Sequence, residues 1–247
     1  MMELNICHLY PDVLNLYGDR GNVICMQKRL QWRGIDCNVE GISIGDPLEA
    51  SKYDLFFIGG GQDFEQGVLL NDLAGQKTAE IKAAIEDEKV FLAICGGYQI
   101  LGSYYKTWDG QQCDFLGALD LYTVGQKDRM IGNYMYECDD LGGTAVVGFE
   151  NHSGQTFLGD GVKPIGKVLS GYGNNGKDGY EGARYKNIYA TYSHGCLLPK
   201  NPAVADMLLS WALTRKYPGY ELPPLEDKLE NQAHKYMEER LRAAQNR

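Results

Sequence analysis

The sequence has no C-x-x-C pair, although seven cysteines stand at positions 7, 25, 37, 95, 113, 138 and 196. An odd, dispersed set of thiols excludes a disulfide framework and a structural zinc knuckle, and suits a reducing cytosol. Basic clusters are also missing. The formal net charge is −9, which argues against nucleic acid as the main partner. No apolar run is long enough to cross a bilayer. Met1–Ile6 lacks the basic start and apolar stretch of a signal peptide. The sequence has neither internal repeats nor a low-complexity linker, so residues 1–247 are parsed as one domain, with a helical extension from about 222.

What is present alternates. Asn5–Tyr10, Cys37–Ser43, Tyr53–Ile58 and Val90–Ile94 are expected as strands. The last two are continuous apolar runs, the mark of buried parallel strands. Helices are expected over Asn22–Trp32, Lys77–Glu88 and Gly97–Tyr105. This β-α-β order predicts an α/β fold built on a doubly wound, mainly parallel sheet. After Asp114 the texture changes to β segments: Leu119–Val124, Gly132–Glu137, Thr144–Glu150, Ile165–Leu169 and Ile188–Tyr192. Two helices, Pro202–Tyr217 and Leu225–Ala244, close the chain.

The chemistry concentrates at Ile94-Cys95-Gly96-Gly97-Tyr98-Gln99. An apolar strand delivers Cys95 to a glycine-flanked turn that opens a helix, the mechanics of a nucleophile elbow. Helix-start amides and the helix dipole favour the thiolate, and the Gly96 amide can face an oxyanion. Gly59-Gly60-Gly61-Gln62-Asp63 closes the preceding strand. Loops at the carboxyl ends of neighbouring strands converge in such sheets, so Gly60 and Gly61 are candidates for a second oxyanion donor. Of four histidines, His8 reads as core and His234 as solvated on the terminal helix. His194 and His152, each beyond a β segment, are level candidates for the base. Gly171–Asp178 imitates a P-loop, but Asp178 replaces the magnesium-binding hydroxyl. It is expected to be a mobile turn, and no ATP site is expected in this chain.

Together these residues resemble a known family. Cys95-Gly96-Gly97-Tyr98-Gln99 is similar to the C-x-G-x-Q elbow of class I glutamine amidotransferases. Phe149–Thr156 and Tyr192–Gly195 resemble later motifs of the cobyric acid synthase branch. Tyr10–Asn22 is very similar to the start of the glutaminase subunits (GatD) of lipid II isoglutaminyl synthases. The resemblance implies a flavodoxin-like glutaminase with Cys95 as nucleophile, His194 as base and Arg129 as the group that binds glutamine, leaving His152 in the background. Gln99 belongs to the elbow and Gly60, Gly61 and Gly96 to the substrate cradle. No metal is implied. Also implied are L-glutamine as substrate and a Mur-ligase-like partner (MurT type) that carries ATP and Mg. That pair would amidate the D-glutamate of lipid II in the cytoplasm, at the inner face of the membrane through the complex.

One position departs from the wider superfamily. Cys196 stands where many class I domains have a glutamate that orients the histidine. The third triad member is then expected from the partner, or from an internal acid such as Glu150 or Glu181. Competing readings are the glutaminase of a cobyrinic or cobyric acid amidating system, a non-catalytic scaffold and a cysteine peptidase.

Overall fold

Strands Glu3–Leu9 (β1), Leu55–Ile58 (β3) and Val90–Ile94 (β4) form the middle of the first sheet. Every residue of β3 and β4 is buried, so no polar face is needed. Phe56 and Phe91, paired in register, stack with centroids 4.5 Å apart. Strand Asp36–Ile42 (β2), mostly exposed, takes the edge beside β1. Ile188–Thr191 (β12) adds in parallel to β4, and Ala183–Tyr185 (β11) closes the far edge antiparallel. The order is β11-β12-β4-β3-β1-β2. Its five parallel strands have the flavodoxin-like order. The computed structural model describes residues 2–61 and 69–245.

Helices Arg20–Gln31 (α1), Gln76–Glu86 (α2), Gly96–Ile100 (α3), Leu197–Lys200 (α4) and Pro202–Lys216 (α5) accompany this sheet. Arg29, with a side chain only 2% exposed, donates from Nε and Nη2 to Asp206 on α5 and from both Nη atoms to Asp227. Asp227 precedes the final helix, Lys228–Gln245 (α6). That helix docks on the second sheet, where Leu241 joins Met135, Ala145 and Val147 in a small apolar cluster. His234, expected to be solvated, binds the Lys200 carbonyl through Nδ1 at 2.9 Å. Among the described residues no helix is long and apolar enough to cross a membrane.

The second sheet is built on a long hairpin, Leu121–Cys138 (β7) and Thr144–Leu158 (β8). The two separate strands expected over 119–137 are one strand, because a register shift between Gly125 and Met130 bridges them. Gly166–Ser170 (β9) and Tyr180–Glu181 (β10) extend one side, and Tyr104–Lys106 (β5) and Gln112–Asp114 (β6) the other. The helix expected over 97–105 ends at Ile100 instead. Gly102 sits against Leu121, where a Cβ would lie 2.3 Å from its side chain, and Tyr104 and Tyr105 go on as strand.

The P-loop-like run is a tied turn. Asn174 grips Gly182 with both amide atoms, and the Oδ1 of Asn175 accepts from the amides of Lys177 and Asp178. The amides of Tyr172 and Gly173 donate to the buried Glu150 carboxylate, where a P-loop would hold phosphate.

Candidate active site

The carboxyl ends of β1, β3 and β4 lead into segments that line one cavity, closed on the other side by residues of β7 and β8. Cys95 leaves β4 at φ 49°, ψ −103°, a left-handed excursion unusual for a residue with a side chain. Its amide donates to Thr191 of β12 at 2.8 Å, and α3 begins at the next residue. Gly97 must be glycine, since a Cβ would stand 2.7–2.8 Å from the carbonyls of Ile58 and Gly59. The Cys95 side chain borders a cavity of about 360 Å³ together with Gly61, Gln99, Arg129, Asn151 and Tyr17. Gly96 lies in the first turn of α3, where amides have no intrahelical acceptor.

His194 follows β12 and is fully buried. Its amide donates to the Phe149 carbonyl at 2.7 Å, which fixes the backbone against β8. Nδ1 lies 3.1 Å from Oδ2 of Asp19, and Asp19 is equally buried. That contact sets the tautomer: Nδ1 carries the hydrogen, which leaves Nε2 for the thiol. Burial pushes the His194 pKa down, but the Cys95 thiolate and the Asp19 carboxylate outweigh it and carry the pKa up to about 10. Protonated His194 is therefore favoured near neutrality, and Nε2 has no other hydrogen-bond partner among the described residues.

Asp19 was not among the sequence candidates. It sits just before α1, inside the Tyr10–Asn22 segment that carries the subfamily resemblance. The acids considered in its place are elsewhere. Glu150 holds Tyr172 and Gly173, and Glu181 accepts from Thr191 and from the Tyr192 amide. Cys196 turns away and donates from Sγ to the Gly18 carbonyl at 2.9 Å. Asp19 thus occupies the place for which the partner, or Glu150 or Glu181 of this chain, was expected.

The triple glycine works differently from expectation. The Gly60 amide donates to Oδ2 of Asp19 at 2.9 Å, so it holds the acid and is not available to an oxyanion. A Cβ there would stand 2.4 Å from Cε1 of His194. Gly61 does line the cavity; Gln62 and Asp63 lie outside the described residues. Gln99 is buried, donates to the Tyr192 hydroxyl at 3.0 Å and borders the same cavity. Between the two candidate bases the geometry is unequal. His152 stacks on Tyr192 at 3.6 Å, donates from Nδ1 to the Gly154 carbonyl, and has Glu150 3.7 Å from Nε2. His194 alone has both a buried acid partner and the electrostatic tie to Cys95. Arg129, on the register shift of β7, is exposed at the cavity mouth.

Residues 5–202 match the CobB/CobQ-like glutamine amidotransferase domain. The chain belongs to this family. Two of its relatives are subunits named GatD of lipid II isoglutaminyl synthase (glutamine-hydrolysing). The one from Staphylococcus aureus is 43% identical over 97% of both chains. The one from Streptococcus pneumoniae is 40% identical over 98% of this chain and 93% of that one. A cobyric acid synthase from Pelotomaculum thermopropionicum is 29% identical over 74% of this chain but only 36% of its own length. Solved structures with the same fold include PurLQS from Thermotoga maritima, with a TM-score of 0.55, 16% identity, and 95% and 99% of the two chains covered. The glutaminase domain of Trypanosoma brucei CTPS with bound acivicin also has a TM-score of 0.55, at 12% identity, with 89% and 96% covered.

Proposed function

We propose that the chain is the glutamine-hydrolysing subunit of a lipid II isoglutaminyl synthase. The observation that carries the chemistry is the buried Asp19–His194 pair at the end of the parallel sheet, electrostatically coupled to Cys95 at the start of α3. The Cys95 thiolate attacks the side-chain amide carbon of L-glutamine. Gly96, with Gly61 beside it, offers backbone N–H groups to the developing oxyanion. The imidazolium of His194 gives its Nε2 proton to the departing ammonia, while Asp19 keeps the ring oriented. Water, deprotonated by the same ring, then hydrolyses the γ-glutamyl thioester and releases glutamate. Arg129 takes the α-carboxylate of glutamine.

Ammonia is of use only if a second active site consumes it. The near-full-length match to the two GatD subunits favours a role as one subunit of such a synthase; the partner in this reading is a Mur-ligase-like subunit that binds ATP and Mg and amidates the D-glutamate of lipid II. The cobyric acid synthases match this chain along about a third of their length, which makes them the weaker guide. The deciding experiment supplies amide-¹⁵N glutamine, ATP-Mg and lipid II to this chain with a Mur-ligase-like partner. Label in the amidated stem peptide, lost with Cys95→Ala, is the expected result. Glutamine hydrolysis without transfer to lipid II would rule out the acceptor, and no hydrolysis would rule out the chemistry.

A further inference from the structure

Arg129 lies where β7 leaves its ladder with β8, between the pairs Gly125–Gly154 and Met130–His152. Ladder pairing does not fix its position. Among the described residues, its side chain is held by Asn151 instead. Asn151 accepts from Nε at 2.8 Å through Oδ1 and from Nη2 at 3.0 Å through its backbone carbonyl. Those contacts occupy one edge of the guanidinium and leave the Nη1–Nη2 edge without a partner among the described residues. Asn151 is itself held. Its Nδ2 donates to the hydroxyl of Tyr17. Tyr17, at φ 54° and half exposed, places its ring edge-on against His194 and Phe149, with centroids 5.0 and 5.9 Å away. Arg129, Asn151 and Tyr17 all line the cavity that Cys95 enters.

From this we infer that Asn151 is a positioning residue that presents the end-on fork of Arg129 to the α-carboxylate of free glutamine, and that the Tyr17 hydroxyl fixes the amide so that Oδ1 faces the arginine. A flipped amide would set NH₂ donors against the Nε–H donor, and the guanidinium would swing away. The site then selects a free amino acid over a glutaminyl residue within a peptide, whose α-carboxyl is an amide. The inference rests on the glutaminase reading and adds how its substrate is recognised.

The test compares L-glutamine with L-glutamine α-amide, which lacks the carboxylate but keeps the reacting group. It is run as steady-state kinetics on the chain with its synthetase partner, and as binding to the Cys95→Ala protein by NMR titration. In the unsubstituted protein glutamine is preferred. Asn151→Ala should lower that preference at least tenfold, through KM and Kd for glutamine far more than kcat, with little change for the α-amide. Asn151→Asp, which keeps an acceptor for Arg129 and can accept from Tyr17, should retain most of it. Tyr17→Phe should lower it severalfold. On an Arg129→Ala background Asn151→Ala should have no further effect on the ratio. If Asn151→Ala weakens both ligands equally, or adds to Arg129→Ala, the inference is wrong. If the unsubstituted protein neither binds nor hydrolyses glutamine, the glutaminase reading is wrong instead.

Discussion

Asp19 and His194, 175 residues apart in sequence, meet at 3.1 Å with both side chains fully buried. The acid enters from the loop after β1 and the base from the end of β12, so the contact forms only when the parallel sheet is assembled. A carboxylate that orients the ring within one chain predicts a glutaminase that does not depend on a partner for its third group. Asp19→Asn should lower kcat for glutamine hydrolysis roughly 10²-fold or more, the scale of positioned acid–base catalysis. Glutamate release by the isolated chain, with and without the synthetase, measures this. Full activity of Asp19→Asn once the partner is added would place the orienting acid on the partner.

Cys95→Ser should abolish glutamine hydrolysis while the protein still assembles with the synthetase and supports amidation from free ammonium. Product formation from glutamine and from ammonium chloride separates the two activities. Retained glutamine-dependent amidation would remove Cys95 from the mechanism.

Gly60→Ala introduces a methyl 2.4 Å from Cε1 of His194 and 3.1 Å from Oδ2 of Asp19. The ring or the carboxylate must shift, and a displacement near 1 Å costs roughly 10²-fold in rate. The expected outcome is a folded protein, by circular dichroism, with glutaminase activity reduced by that order. Undiminished activity would show that the Asp19–His194 line tolerates displacement.

The pH dependence of stability has a definite sign. Burial, opposed by hydrogen bonds from the Tyr192 amide and Thr191, carries the Glu181 carboxyl up to about 7. A group whose pKa rises on folding contributes most below its unfolded value and loses that contribution as pH climbs through its folded value. Glu181 therefore lowers stability between about pH 4.5 and 7. His194, raised to about 10, does the same from about 6.5 upward. Urea midpoints should fall as pH rises through these windows. Glu181→Gln should flatten the lower window and His194→Gln the upper. An unchanged profile in Glu181→Gln would assign the lower window to another group.

The parallel core was legible because its strands are nearly pure apolar runs. Leu55–Ile58 and Val90–Ile94 have no polar face to confuse the period, and Cys95 stood out by its glycines. The second sheet was less legible. Gly125 to Met130 reads as a turn by composition, yet it is a register shift inside one long strand. His234 was misplaced because one hydrogen bond to a distant carbonyl leaves no periodic trace. In the site, Cys95 carried a local signal, His194 stood level with His152 until the family resemblance separated them, and Asp19 was not among the candidates. Gly60 lies beside His194 and Asp19, but which acceptor its amide serves depends on the approach of a different loop.

Arg29 has a consequence for how the chain is made. Its guanidinium lies inside the first helix of the fold, and the two carboxylates that neutralise it are residues 206 and 227. A buried cation without its partners is strongly destabilising. During synthesis on the ribosome, α1 therefore cannot settle against the sheet in its final state until the chain has emerged past residue 227. Domains usually fold from the N-terminus as they appear; here the first helix waits for Asp206 on α5 and for Asp227 just ahead of α6.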